Sequence, residues 1–308
     1  MTNKEKYRQL CETEGSCIPL FQQYWWMDTV CHGKQWDVLL SEHDNRIVGA
    51  LPYLHGRKFG LRYVLQPQLT QFSGPWLAPD LSFDDQIPVL TDLASQLDGL
   101  HLALYCQKFA PTVTNWLPFY WRGYQETIRY TYRFDPLEPI STLMEKAQPQ
   151  RRKRMDLLRK ECSLDRHVSP NEFAAFHNEY YLRKSGHNLL SPTTVEHVCT
   201  TALNRGNALL YGLRNSDGKL QVADFVVFDK LCAHSLMSGM STEAPRNSTT
   251  LLFWHLIEDL AGKTQAFDFE GSMDPGIEQF FRSFGATQTP LHCVYRSRIP
   301  FGEKLLNL

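Results

Sequence analysis

Ala208-Leu209-Leu210-Tyr211-Gly212, then Asn215-Ser216-Asp217-Gly218, then Lys219-Leu220-Gln221-Val222-Ala223 is the stretch that decides the fold. Two apolar runs flank a polar cluster ending in Asp-Gly, the short-range signature of an antiparallel strand–turn–strand. Leu231 to Gly239 follows a second turn at Asp229-Lys230 and adds a third strand. The pattern also occurs earlier. Trp36-Asp37-Val38-Leu39-Leu40, a turn at His43-Asp44-Asn45, and Arg46-Ile47-Val48-Gly49-Ala50 read the same way. Trp121-Arg122-Gly123-Tyr124 opens a run reaching Tyr132-Arg133, and Phe281-Arg282-Ser283-Phe284 opens one reaching Tyr295-Arg296. Self-similarity on this scale implies duplicated domains, not a solenoid.

Working outward, Ser163 to Val168 reads as a short strand. Ser169-Pro170 and Ser191-Pro192 each place a capping Ser before a first-turn Pro, opening helices to about Lys184 and to Leu203. After the three strands come a helix over Thr249 to Ala261, a strand over Ala266 to Phe269, a helix over Gly276 to Phe284 and a strand over Pro290 to Arg296. The order is β-α-α-β-β-β-α-β-α-β. The first half repeats it from its own meander onward. Leu61 to Leu65 is a third strand, and Asp84 to Leu97 a helix with Ile87, Leu90, Leu93, Ala94 and Leu97 on one stripe. Leu100 to Tyr105 is a strand, Asn115 to Trp121 a short helix and Glu126 to Phe134 a strand. Ahead of them a polar start leads into a helix over Leu20 to Cys31. Asp135-Pro136 to Pro139 marks the domain boundary, giving domains 1–138 and 139–308. Ser141 begins a helix, and Pro149 restarts one over Gln150 to Cys162. The fold class is α+β, a mixed and mostly antiparallel sheet flanked by helices in each domain.

The 308 residues are 43% hydrophobic, enough to bury a core, and the net charge of −1 supplies no global field toward nucleic acid or membrane. Eight cysteines contain no Cys-x-x-Cys, and no His pair has zinc spacing, so buried free thiols and no metal are expected. Met1 to Leu10 has no apolar leader region, and no run approaches the roughly 18 apolar residues of a membrane span. A cytoplasmic protein is expected. A Ser-His-Asp order, a P-loop and GxGxxG are all absent from the sequence, which disfavours hydrolase, NTPase and dehydrogenase chemistry.

The element order resembles that of GNAT (Gcn5-related N-acetyltransferase) domains, here in tandem. Four segments, Asp268-Phe269-Glu270-Gly271-Ser272, Phe280-Phe281-Arg282-Ser283-Phe284-Gly285, the basic stretch Arg151 to Lys160 and Gln71-Phe72-Ser73-Gly74-Pro75-Trp76, resemble Fem-type peptidoglycan aminoacyltransferases and their relatives. The resemblance implies an acyltransferase moving an acyl or aminoacyl group onto an amine of a small molecule or cell-wall precursor. It also implies that the second domain holds the donor and the first forms a cleft wall. GNAT enzymes that use acetyl-CoA carry small residues in the loop before the third helix. Here Arg246-Asn247-Ser248-Thr249-Thr250-Leu251 keeps the Arg and lacks them. Acyl-CoA and aminoacyl-tRNA both stay open as donors. The long helical hairpin that Fem enzymes link to tRNA handling has no counterpart in the sequence. A non-catalytic ligand-binding or scaffold protein that retains the fold is the alternative.

Arg246, Asn247, Ser248, Thr249 and Thr250 are the candidate donor loop, a helix N-terminus suited to phosphate, although an ordinary cap reads the same way. Arg151 and Arg154 are candidate phosphate contacts for UDP-linked substrate or tRNA, against the alternative of a solvated basic helix. Asp268 and Glu270 lie two apart on a strand and so face one side. Either suits a base for acyl transfer to an amine, and capping the next helix is the alternative. His234 and Asp224 each interrupt an apolar strand; a base or substrate contact competes with a satisfied core residue for His234. Tyr53, Gln71 and Trp76 are candidate acceptor contacts, expected in a cleft between the domains.

Overall fold

Thr2 and Glu5 begin the chain with a capping box. The Glu5 N–H donates to the Thr2 hydroxyl and the Thr2 N–H to the Glu5 carboxylate, and α1 (Asn3–Glu14) follows. The polar start therefore folds as a helix. The helix expected over Leu20 to Cys31 is split, because Gln23 is extended between a 3-10 turn at Leu20–Gln22 and α2 (Tyr24–Val30). Next come β1 (Trp36–His43), β2 (Arg46–Lys58), β3 (Leu61–Leu65), β4 (Trp76–Leu77), α3 (Phe83–Gly99), β5 (Leu104–Lys108), α4 (Leu117–Tyr120) and β6 (Gln125–Phe134). Asp44 and Asn45 take left-handed conformations in the β1–β2 turn, which short polar side chains tolerate. The structure is a computed structural model and describes residues 1–31, 35–153, 155–188, 190–300 and 302–306.

The second half builds α5 (Ile140–Lys146), α6 (Met155–Glu161), β7 (Ser163–Asp165), α7 (Pro170–Ser185), α8 (Pro192–Asn204), β8 (Ala208–Arg214), β9 (Leu220–Phe228), β10 (Ala233–Met240), α9 (Ser248–Leu260), β11 (Phe267–Asp268), α10 (Pro275–Arg282) and β12 (Thr287–Ser297). Ser169 and Ser191 cap α7 and α8 with Pro in the first turn, as their sequences indicate. The basic helix expected over Gln150 to Cys162 is broken. Pro149–Arg151 is a single 3-10 turn, Arg152 and Lys153 are turn residues, and the described α-helix covers Met155–Glu161. The Arg151 carbonyl accepts from the Trp254 indole, which holds that residue out of a helical ladder.

Contacts divide the chain into Met1–Tyr130 with Thr289–Leu308, and Thr131–Gln288. This differs from the expected domains 1–138 and 139–308. The proline-flanked segment marks where β6 ends, whereas strand pairing decides to which unit a residue belongs. In the first unit, β1, β2 and β3 pair antiparallel, β3 and β5 run parallel, and β12 closes antiparallel on β5. In the second, β8, β9 and β10 pair antiparallel, β10 and β11 run parallel, and β6 closes antiparallel on β11 through Arg133 and Phe134. Each unit thus has the same order, and each takes its closing strand from the other half of the sequence.

In the first unit, Trp36, Val38 and Leu40 pack one sheet face on Tyr7, Leu10 and Met27, while Leu39, Leu51 and Tyr53 pack the other on Leu90, Leu93 and Leu97. In the second, Val222, Val226, Ala233, Phe267 and Phe269 bury one face against Leu252, Phe253 and Leu256 of α9. By the two-residue period of strands, His234, Asp268, Thr131 and Arg133 lie on the opposite face. Full burial of each large apolar side chain contributes about 1.5–3 kcal/mol, so this layer fixes the strands that carry the site.

Candidate active site

β10 and β11 pair only over Ala233–His234 and Phe267–Asp268. Past that point β10 runs on to Met240 beside β9, while the other strand leaves through Glu270, whose φ is +57°. A left-handed glutamate is held by its surroundings. Its N–H donates to Asp268 Oδ1 at 2.7 Å, and the Gly271 N–H donates to the Thr131 hydroxyl at 2.9 Å. The Thr131 hydroxyl in turn donates to Asp268. The result is a fork between two parallel strands, with the polar cluster at its vertex.

Within this cluster His234 Nδ1 lies 3.0 Å from Glu270 Oε1, and Arg133 Nε lies 3.7 Å from Asp268 Oδ2. Burial lowers the His234 pKa to about 4, partly offset by the Asp268 charge, so the imidazole is neutral at neutral pH. Burial raises the Asp268 pKa, with the Thr131 hydroxyl and the Arg133 charge acting the other way. Glu270 keeps 15% of its side chain exposed, against 3% for His234 and 1% for Asp268. Glu270 is therefore the member an incoming molecule can reach. Asp268 is committed to Thr131, Arg133 and the Glu270 N–H. The three predicted residues do come together. Their ligating atoms lie within 4.8 Å of one another, the spacing of a candidate cation site. Arg133 places positive charge beside Asp268 and shares it with Asp135, 3.2 Å from its Nη2.

At the other end of β10, Ser238, Gly239 and Met240 line a cavity of about 450 Å³ with Arg151, Phe280 and the loop Arg246 to Thr250. This is the predicted donor loop. Asn247, the residue before α9, is left-handed at φ +74° and makes no side-chain cap bond, so the first-turn N–H groups of α9 receive no side-chain cap from it. Asn tolerates this conformation better than other non-glycine residues. The Ser248 and Thr250 side chains are buried: Ser248 donates to the Pro245 carbonyl, and Thr250 accepts from Arg151 Nη1 at 3.1 Å. Arg151 also donates to the Ser283 hydroxyl at 2.6 Å and lies 4.4 Å over the Phe280 ring. Its pKa is lowered by burial and then by Arg246. Among the described residues neither arginine forms a salt bridge, so two cations share one cavity wall.

Asp224 is fully buried on β9, and its two carboxylate oxygens, 3.0 and 3.1 Å from the Ser235 hydroxyl, share that group's one proton. Burial raises its pKa well above the ordinary value and the hydroxyl only partly opposes this. Ser235 begins the bulge, between Ser235 and Met237, that reorients the following residues of β10. Thr131 and Arg133 were not anticipated as site residues, although their alternation with Tyr132 and Phe134 already places two polar side chains on one face.

The remaining predicted contacts fall elsewhere. Tyr53 lines a cavity of about 610 Å³ in the first unit, with Gln35, Asp37, His55, Arg57 and Arg62. Trp76 does not line a cleft: it is buried among Tyr7, Trp36 and Ala50, and its indole N–H donates to the Cys17 carbonyl at 3.0 Å. Gln71 is buried in the first unit. Arg154 lies outside the described residues. All eight cysteines are free, and all but Cys11 and Cys17 are buried. Among the described residues no helix is long and apolar enough to cross a membrane.

Residues 146–282 match the family described as acetyltransferase (GNAT) domain. No curated protein matches the chain. Among solved structures the chain is similar to FemX, at 10% identity over 95% of this chain and 96% of that one, with a TM-score of 0.68. It is similar to the C-terminal domain of a putative lysylphosphatidylglycerol synthetase from Agrobacterium fabrum, at 12% identity over 99% and 94%, with a TM-score of 0.62. A tandem GNAT protein from the clavulanic acid biosynthesis pathway follows at 13% identity over 97% and 95%, with a TM-score of 0.56. The fold is that of tandem GNAT proteins, and the likeness in fold to FemX extends over both units.

Proposed function

We propose that the second unit transfers an acyl or aminoacyl group from a phosphate-bearing donor to an amine. The observation that carries this reading is the fork between β10 and β11. Glu270, paired with His234, stands at its vertex, and the cavity walled by Arg151 and Arg246 stands at its far end. From His234 to Ser238 is four strand steps, about 13 Å, so an extended acyl arm would run from an anchored phosphate to the vertex.

In this reading Arg151, Arg246 and the first-turn N–H groups of α9 hold the donor's phosphate. Glu270 takes a proton from the acceptor ammonium, and neutral His234 orients it. The amine nitrogen then attacks the acyl carbon, whose oxygen is polarised by backbone N–H groups on the open edge of β10. The carbon–sulfur or carbon–oxygen bond to the donor breaks, and the leaving group takes up the second proton that the attacking nitrogen gives up on becoming an amide. Attack is direct, with no covalent enzyme intermediate. Acyl-CoA and aminoacyl-tRNA both carry the required phosphate. The acceptor is an amine on a small molecule or a cell-wall precursor. The free thiols fit a reducing compartment, the cytoplasm.

The test is transfer itself. The protein is incubated with acyl-CoAs or aminoacyl-tRNA and a panel of amines, and acylated amine is measured by mass spectrometry. Transfer that Glu270→Gln slows by about a hundredfold or more supports the reading. Unchanged transfer in Glu270→Gln removes the base assignment, and no transfer from any phosphate-bearing donor removes the function.

A further inference from the structure

The hairpin joining β2 and β3 turns on Phe59 and Gly60, with φ of +50° and +79°. Two-residue turns of this kind favour Asn-Gly or Asp-Gly, because a bulky residue at positive φ is strained. Phe59 is also 92% exposed, and Leu61 beside it is 45% exposed. An aromatic thus occupies a position where backbone strain and hydration both oppose it. Strain of this sort points to a role outside the fold.

The surrounding charge identifies the partner. Arg57 and Arg62 stand directly opposite one another in the β2–β3 register, and Lys58 lies opposite Leu61. Like charges across a strand pair are destabilising, and among the described residues none of the three cations forms a salt bridge. Lys58 Nζ lies 5.6 Å from the Phe59 ring centroid. An apolar tip ringed by cations complements an interface that is apolar within and anionic at its surface.

We propose that this hairpin is a docking point for an anionic phospholipid surface, with Phe59 and Leu61 entering the interface and Arg57, Lys58 and Arg62 engaging lipid phosphates. Attachment is peripheral and reversible, and it strengthens with anionic lipid content and weakens with salt.

The test is co-sedimentation of the whole protein with vesicles of phosphatidylcholine alone and of phosphatidylcholine mixed with phosphatidylglycerol. Binding is expected to the mixed vesicles only. Replacing Arg57, Lys58 and Arg62 together by Gln is expected to weaken it by about a hundredfold. Phe59→Asn is expected to weaken binding while raising the melting temperature, since it relieves the turn; a purely structural residue would not give that pair of results. Failure to bind mixed vesicles, or binding that neither variant alters, overturns the proposal. Displacement of the protein by soluble glycerol phosphate also overturns it, by assigning the cations to a free anion.

Discussion

Lowering the pH from 7.5 to 5 should weaken this protein at His177 in a way one substitution isolates. His177 sits on α7, buried between Phe173 and Tyr181, whose ring centroids lie 5.7 and 4.6 Å away. Burial alone lowers its pKa from 6.5 to about 4. Between those values the unfolded chain binds a proton that the native state refuses, so stability falls as pH falls through that window. At pH 5 the unfolded imidazole is almost fully charged and the native one mostly neutral, a loss of about 2 kcal/mol; at pH 7.5 the loss is close to zero. Asp224 works in the opposite direction over the same range, because its native pKa is raised. Total stability is therefore the wrong readout. The difference between His177→Phe and wild type, from urea unfolding at both pH values, cancels the Asp224 contribution. That difference should move by about 2 kcal/mol in the variant's favour on going to pH 5. A difference that stays constant with pH would refute the claim that His177 is buried neutral.

Three further outcomes follow from the second unit. Asp224→Asn should remove a pH slope: a native pKa above the unfolded value gives stability that is full below pH 4 and lost as pH rises. Wild type should then fall relative to the variant by about 1.4 kcal/mol per pH unit from that point until the native carboxyl itself ionises, in paired denaturation curves. Thr131→Val leaves the Gly271 N–H and one Asp268 oxygen without the hydroxyl that joins them, and should cost about 1–3 kcal/mol by denaturant unfolding. Asn247→Val should cost about 1–2 kcal/mol at its left-handed position, while Asn247→Gly should be close to neutral in melting temperature.

The meanders were legible because their turns are written locally. Asp217-Gly218 and Asp44-Asn45 carry the turn chemistry, and the apolar runs beside them fit strands. The caps at Ser169 and Ser191 were legible for the same reason, and so was the pairing of Asp268 with Glu270 on one strand side. Thr2-Asn3-Lys4-Glu5 carried an equally local capping signal that its polar composition masked. The exchange of β6 and β12 between units was not legible. Alternation reports that a strand has two faces, but it does not say which strand lies beside it. Nor was the inward turn of Arg151, whose partners Thr250 and Ser283 lie far along the chain. Trp76 shows the converse error: its loop position suggested a cleft, yet an aromatic ring near Pro and Gly can equally fill a core.

The central claim is that the cavity walled by Arg151 and Arg246 binds the phosphate of a transfer donor. It is tested most directly by calorimetric titration of the wild-type protein and of the Arg151→Gln/Arg246→Gln double variant with acyl-CoAs and with aminoacyl-tRNA. The account predicts saturable wild-type binding of at least one of these donors, weakened by about tenfold or more in the double variant, since each lost charged hydrogen bond is worth about 1.5–3 kcal/mol. Equal affinity in the two proteins, or no binding of either class of donor, would contradict it.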